Sequence, residues 1–166
     1  MHYILKLSAC ALLVATLGLP AIAAGTKTDD TAATTPAAAP DPWEVKWGKL
    51  PALYVDAVAM AKAGKYPEAI SALTALNKME DPRVLNWIGF STRKSGDAIK
   101  ALTFYDKALS IAPDFTPAHE YRGEAYIQLK DMAKAKEELA MIAKLCGNMT
   151  CEEYKDLNED LGKAGS

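Results

Sequence analysis

The segment 96–113 carries the clearest structural signal in the chain. Within it, Ala101 is followed by Tyr105 four positions later and by Ala108 three positions after that. On an α-helix these offsets place the three side chains along one stripe, in a small–large–small order that lets a second helix approach closely. Asp97 stands where its carboxylate can cap the first turn, and the proline that closes the segment cannot continue a helix. The segment therefore predicts a helix that packs tightly against a neighbouring helix.

The surrounding sequence repeats this pattern at a nearly constant interval. Equivalent alanines are separated by 32 and then 34 residues, and equivalent glycines on the preceding helices are separated by 34. The turn between the two helices of a unit holds glycine twice and lysine once. In chain order these positions are Ala69, Ala101 and Ala135; Gly89 and Gly123; and Gly64, Gly96 and Lys130. A period of this size is typical of a helical repeat in which each unit is a pair of helices.

Helix starts are marked by a capping residue, by a proline at the first helical position, or by both. Such signals occur at Pro51, Asp81-Pro82 and Thr116-Pro117. Asp41-Pro42 gives the same signal before the repeats, and the stretch 150–153 has the pattern of a capping box after them.

These residues resemble the tetratricopeptide repeat, a helix-turn-helix unit of about 34 residues. The unit Pro82–Phe115 supplies the glycine, both alanines, the aromatic residue and the closing proline of that pattern, with Thr92 where the first aromatic residue is usual. The unit Thr116–Met149 keeps the early positions but has Leu139, Ile142 and Gly147 at the later ones. The unit Leu50–Asp81 is two residues short and retains mainly Gly64, Tyr66 and Ala69.

The resemblance implies an all-α fold, a short solenoid of antiparallel helix hairpins with three repeats over residues 50–149. Each hairpin leaves one face uncovered, so the ends of the stack need caps. Residues 150–166 predict a capping helix and tail, because Tyr154, Leu157 and Leu161 recur at three- and four-residue spacing.

The first 24 residues have the pattern of a signal peptide. Lys6 precedes the apolar run 7–19, and the small residues of the stretch 21–23 predict cleavage near Ala23 or Ala24. The run is shorter than the roughly 20 residues that span a bilayer, so we expect no stable membrane span after cleavage. A retained anchor and a lipidated Cys10 are the alternatives. The leader predicts a bacterial periplasmic, cell-envelope or secreted location.

Residues 25–41 predict a flexible linker, since this Ala/Thr/Pro-rich stretch cannot bury enough apolar surface to order its backbone. Residues 42–49 then predict a short helical segment that presents Trp43 and Trp47 on one face. Two indole rings on one turn are too much apolar surface to leave in water. They either pack on the first repeat or provide a docking patch.

Two cysteines remain once the leader is removed, Cys146 and Cys151. An even number of cysteines in an exported chain favours a disulfide, here one that ties the third repeat to its cap. The alternative is a thiol-disulfide protein, although the spacing is not that of a CxxC redox motif.

Charge and composition exclude several other classes of protein. The formal charge of −2 is too balanced for a nucleic-acid binder. His119 is the only histidine outside the leader, so a multi-histidine metal site cannot form, and we expect no His-paired nucleophile. We therefore expect a non-enzymatic protein with no catalytic residue, no metal and no cofactor.

The resemblance implies that the first helix of each repeat lines a concave groove that binds a protein or peptide partner. The groove residues would be Tyr54, Val58 and Lys62 in the first repeat; Arg83, Asn86, Phe90, Arg93 and Lys94 in the second; and Glu120, Glu124, Ile127 and Gln128 in the third. This set predicts a basic, aromatic middle beside an acidic end. The alternative function is self-association into a homo-oligomer, through the tryptophan segment or the first repeat.

Overall fold

A computed structural model of the protein describes residues 41–165. The leader and all but the last residue of the expected linker lie outside this range. Eight helices and no strand occur within it. They are α1 (Pro42–Trp47), α2 (Ala52–Lys62), α3 (Tyr66–Ala75), α4 (Pro82–Lys94), α5 (Ala98–Ile111), α6 (Thr116–Gln128), α7 (Met132–Cys146) and α8 (Glu152–Ala164). No helix within residues 41–165 has the length and apolar character needed to cross a membrane.

The helices form three consecutive hairpins, α2–α3, α4–α5 and α6–α7. Each hairpin packs on the next, through α3 against α4 and α5 against α6, and α8 covers both helices of the third hairpin. The all-α repeat architecture predicted from the sequence is confirmed.

The contact between α4 and α5 depends on a glycine. A Cβ placed on Gly89 would lie 2.5 Å from Cε1 of Tyr105, closer than non-bonded carbons approach. Ala101, Tyr105 and Ala108 are all completely buried, as the small–large–small stripe predicts. Because Gly89 has no side chain, α4 leaves a space that the Tyr105 ring of α5 fills.

The capping helix uses the equivalent glycine of the third hairpin. A Cβ on Gly123 would lie 2.5 Å from Cδ2 of Leu157, which is completely buried. Leu157 is thus the residue by which α8 closes the end of the stack.

The turns inside the hairpins share one backbone conformation. Gly64, Gly96 and Lys130 all have positive φ, at 78°, 102° and 62°. In each turn the next residue donates its backbone N–H to the carbonyl five positions earlier, as Asp131 does to Tyr126 at 2.9 Å. Lys130 therefore takes, at some conformational cost, the backbone shape that glycine adopts freely.

Three of the predicted helix caps form. The carboxylate of Asp97 accepts the backbone N–H of Lys100 at 2.9 Å, and that of Asp41 accepts the N–H of Trp43 at 2.8 Å. The carboxylate of Asp81 accepts the N–H of Arg83 at 3.0 Å.

Two threonines predicted at helix starts do not act as caps. Helix α6 begins at Thr116 itself, whose hydroxyl donates instead to Glu153 at 2.8 Å. Cys151 precedes α8, and the hydroxyl of Thr150 donates to Asn148, so the capping box is not formed.

The half-buried tryptophans of α1 pack against the repeats. Trp43 and Trp47 stack on each other, and their ring centroids lie 5.0 and 5.5 Å from that of Phe115. Their partner is therefore the junction between the second and third hairpins, whereas the sequence suggested the first repeat.

The glycine-dependent contact between α4 and α5 can be tested by substitution. Gly89→Ala should lower the free energy of unfolding by about 1–3 kcal/mol, because the buried Tyr105 ring cannot retreat from the new methyl group. Gly162→Ala is the control, since a Cβ on Gly162 meets nothing within 4 Å and alanine favours the helix by about 0.5 kcal/mol. Urea unfolding measures both, and equal effects of the two substitutions would contradict the close contact.

Candidate concave binding surface

The first helices of the three hairpins and the capping helix lie side by side. Helix α2 contacts α4, α4 contacts α6, and α6 contacts α8. We call the surface that these four helices share the groove. All the groove residues expected from the sequence lie on its first three helices.

Three aromatic rings form the middle of the groove. The ring centroid of Phe90 lies 5.0 Å from that of Trp87 and 5.1 Å from that of Tyr121. The ammonium groups of Lys62 and Lys94 lie 5.7 Å from the Trp87 ring and 5.6 Å from the Phe90 ring, within the range of cation–π attraction. Both lysines are exposed, so this part of the groove is apolar with a cationic edge.

Trp87 and Tyr121 are groove residues that the sequence pattern did not single out. Trp87 lies three positions before Phe90, and Tyr121 lies three positions before Glu124. Because residues three apart share a helix face, this spacing was the signal that could have found both.

The two arginines predicted to make the groove basic are buried and paired. Arg93 is 6% exposed and forms an ion pair with Glu124. Arg83 is also 6% exposed, and its guanidinium contacts Asp81 Oδ2 at 2.6 Å and donates to the carbonyl of Gly48 at 2.8 Å. These pairs correct the expected basic middle: the arginine charges are neutralised, and Arg83 anchors the segment that follows α1.

Two cavities open along the groove. The N-terminal cavity lies at the N-terminal ends of α4, α6 and α8 and has a volume of about 220 Å³. The C-terminal cavity lies at the opposite ends of the same helices and has a volume of about 360 Å³. Of the predicted groove residues, Tyr54, Arg83, Asn86 and Glu120 line the first, and Arg93, Lys94, Glu124, Ile127 and Gln128 line the second. Val58 is half-buried on α2.

Glu120 has an unusual environment in the N-terminal cavity. It is 8% exposed, and within residues 41–165 it forms no hydrogen bond or ion pair. Burial raises the pKa of its carboxyl to about 9, and the nearby carboxylates of α6 and α8 add to the effect. These carboxylates are Glu124, Asp156, Glu153 and Glu152.

His119 lies in the packing between α6 and α7. Its Nδ1 is 2.7 Å from Glu138 Oε2, and its Nε2 is 3.0 Å from the carbonyl oxygen of Pro113. Arg122 reaches the other oxygen of the same glutamate, so these side chains form one polar network between the two helices.

The structure joins Cys146 at the end of α7 to Cys151 before α8. The two Cα atoms lie 6.4 Å apart, within the range of disulfides. The pair closes the loop between the third hairpin and its capping helix.

Comparison with known proteins agrees with this geometry. A family model described as tetratricopeptide repeat matches residues 93–157. Residues 93–157 of this chain thus match the tetratricopeptide repeat. No curated protein matches the chain in sequence.

Several solved structures have a similar fold, among them two tetratricopeptide-repeat domains and a secretion chaperone. The Sgt2 domain from Aspergillus fumigatus is 22% identical with a TM-score of 0.60, over 76% of this chain and 80% of that one. The Yersinia enterocolitica type III secretion chaperone SycD, in complex with a peptide of the translocator YopD, is 21% identical with a TM-score of 0.57, over 68% and 86%. The first such domain of Spaghetti (RPAP3), bound to an HSP90 peptide, is 20% identical with a TM-score of 0.58, over 69% and 92%.

The buried carboxyl of Glu120 predicts a specific dependence of stability on pH. Its pKa is near 4.5 in the unfolded chain and about 9 in the folded repeat, so the folded state holds a proton that the unfolded state has lost between these values. Its contribution to the free energy of unfolding is therefore complete below pH 4.5 and falls as the pH rises towards 9. Glu120→Gln should make the protein more stable at pH 8 by at least about 1 kcal/mol and flatten the profile.

Urea unfolding at pH 5, 6.5 and 8 measures this effect. Glu80→Gln is the matched control, because Glu80 is exposed and pairs only with Lys107. If Glu120→Gln leaves the pH dependence of the free energy of unfolding unchanged, the interpretation of Glu120 as a buried, unpartnered carboxyl is contradicted.

Proposed function

We propose that this protein is a non-enzymatic peptide-binding module that docks an extended segment of a partner protein in its groove. It would act as an interaction or assembly scaffold in the bacterial periplasm or cell envelope. The observation that carries the proposal is the aromatic row Trp87–Phe90–Tyr121 between two open cavities. Aromatic rings with polar groups beside them are the usual composition of sites that anchor a partner.

Two structural neighbours support this type of binding. SycD was solved with a peptide of the translocator YopD, and the Spaghetti domain with an HSP90 peptide. Their identities of 21% and 20% connect them to this chain through the fold alone, so the chemistry of the partner has to come from this chain's own groove.

Two observations support export. The first 24 residues have the charge, apolar run and small residues of a secretory leader. The pairing of Cys146 with Cys151 fits an oxidising compartment, since disulfides seldom persist in the cytosol. We assign the pair a structural role, and redox exchange is the alternative.

Photocrosslinking in the producing cells tests the docking site. A benzophenone amino acid at Lys94 or Gln128, both exposed and both lining the C-terminal cavity, should crosslink a partner protein. The same probe at Ile99 is the control, because Ile99 is 70% exposed on the second helix α5, which does not form the groove. We expect the groove positions to give several-fold more crosslinked partner than Ile99.

Equal crosslinking at Lys94 and Ile99 would contradict the docking site. Crosslinks to a second copy of this chain from either position would instead support the self-associating alternative. Trp43 and Trp47 already pack on Phe115, whereas Leu53 and Val55 of the first repeat remain exposed, so that alternative would use the first repeat.

A structural disulfide makes a separate prediction. The double substitution of Cys146 and Cys151 by serine should lower the free energy of unfolding by about 2 kcal/mol, the chain-entropy effect of a loop this short. Alkylation of the native protein followed by mass spectrometry should find both thiols blocked. Reduction by mild reductant without loss of stability would favour the redox alternative.

A further inference from the structure

The N-terminal cavity contains buried hydrogen-bond acceptors that have no donor. Asn86 is 2% exposed, and its Oδ1 has no hydrogen-bond partner within residues 41–165. Glu120 is 8% exposed, and its carboxyl is equally unpartnered in that range. Buried polar groups are almost always hydrogen-bonded, so two such acceptors lining one open cavity indicate that a donor enters from outside.

The charges around the cavity favour a cation. Glu152 and Glu153 of the capping helix also line it, and Thr116 holds the Glu153 carboxylate in place at 2.8 Å. Among the described residues that line the cavity, Arg83 is the one cation, and its guanidinium is already engaged by Asp81 and by the carbonyl of Gly48. An entering cation would therefore meet carboxylates without an opposing free charge.

Aromatic rings form the rest of the wall. Trp43, Trp87 and Tyr121 all line the cavity, and such rings attract a cation that lies within about 6 Å of their centroids. The volume of about 220 Å³ is below the roughly 300–1,000 Å³ of sites for drug-sized ligands, and suits a single side chain.

We propose that the N-terminal cavity binds the basic side chain, lysine or arginine, of a partner peptide that lies in the groove. The ammonium or guanidinium donates to the Glu120 carboxylate, on the wall that Glu120 shares with Asn86, and is flanked by the indole rings. The cavity then sets specificity at one position of the peptide, while the aromatic row supplies sequence-tolerant contact area. This inference rests on the proposed peptide-binding function and adds the residue class that the groove selects.

The raised pKa of Glu120 agrees with this assignment. A carboxyl that keeps its proton in the free protein is less costly to bury than a carboxylate. An entering cation supplies the charge that lets the group ionise.

A positional-scanning library of extended, uncharged-end hexapeptides tests the proposal with the purified protein. The wild type should select lysine or arginine at one position, and Glu120→Gln should lose that preference by about tenfold, because the charge-assisted hydrogen bond is lost. Glu80→Gln, which makes the same substitution at an exposed glutamate outside the groove, should keep it. Circular dichroism establishes that both variants are folded.

The outcomes distinguish a failure of the cavity assignment from a failure of the peptide-binding function. The cavity assignment is overturned if the protein binds peptides without preferring a basic residue, or if Glu120→Gln leaves that preference intact. Either result leaves the peptide-binding function in place. Failure to bind any hexapeptide overturns both. Putrescine is the probe for a free amine: tight binding of putrescine by a protein that selects no basic peptide would show that a small polyamine is the ligand, and would overturn the peptide assignment.

Discussion

The close approach of helix backbones at two glycines determines the rest of this structure. The ring of Tyr105 lies against α4 at Gly89, and the side chain of Leu157 lies against α6 at Gly123. Both side chains are completely buried, so each fills its space without leaving a void. The first contact sets the geometry of the middle hairpin, and the second joins the capping helix to the last one.

This packing places the first helices next to one another and so creates the groove. Because the small residues and the large apolar side chains are used between the helices, the polar groups of α4 and α6 are turned towards a common surface. Some of these groups form ion pairs there, as Arg93 does with Glu124. Others, such as Asn86 and Glu120, are buried without a hydrogen-bond partner. An unpartnered acceptor costs stability in the free protein, and a partner's donor can recover that cost on binding.

The local features of the fold could be predicted from sequence because they depend on residues close together in the chain. The stripe of Ala101, Tyr105 and Ala108, and the cap at Asp97, follow from helical spacing and side-chain length alone. Thr116 was expected to cap a helix by the same reasoning, but its hydroxyl donates to Glu153, 37 residues later. A local sequence pattern cannot predict a competing hydrogen-bond acceptor that only folding places next to the hydroxyl.

The electrostatics of the groove were also harder to predict. Arg83 and Arg93 have the charge and the helical position of partner-binding residues, and the expected basic surface followed from them. In the structure each is 6% exposed and paired with a carboxylate, one of them 31 positions away. The general position of the groove was thus accessible from the sequence, whereas its free charges, its aromatic row and its two cavities required the packed helices.

The central claim is that a peptide docks on the groove, and the indole N–H signals of the three tryptophans test it most directly. Trp87 lies in the aromatic row, whereas Trp47 packs against Phe115 and does not line either groove cavity. When the hexapeptide that binds best is added to ¹⁵N-labelled protein, the Trp87 signal should shift and the Trp47 signal should stay in place. A shift of Trp47 without one of Trp87 would contradict the account.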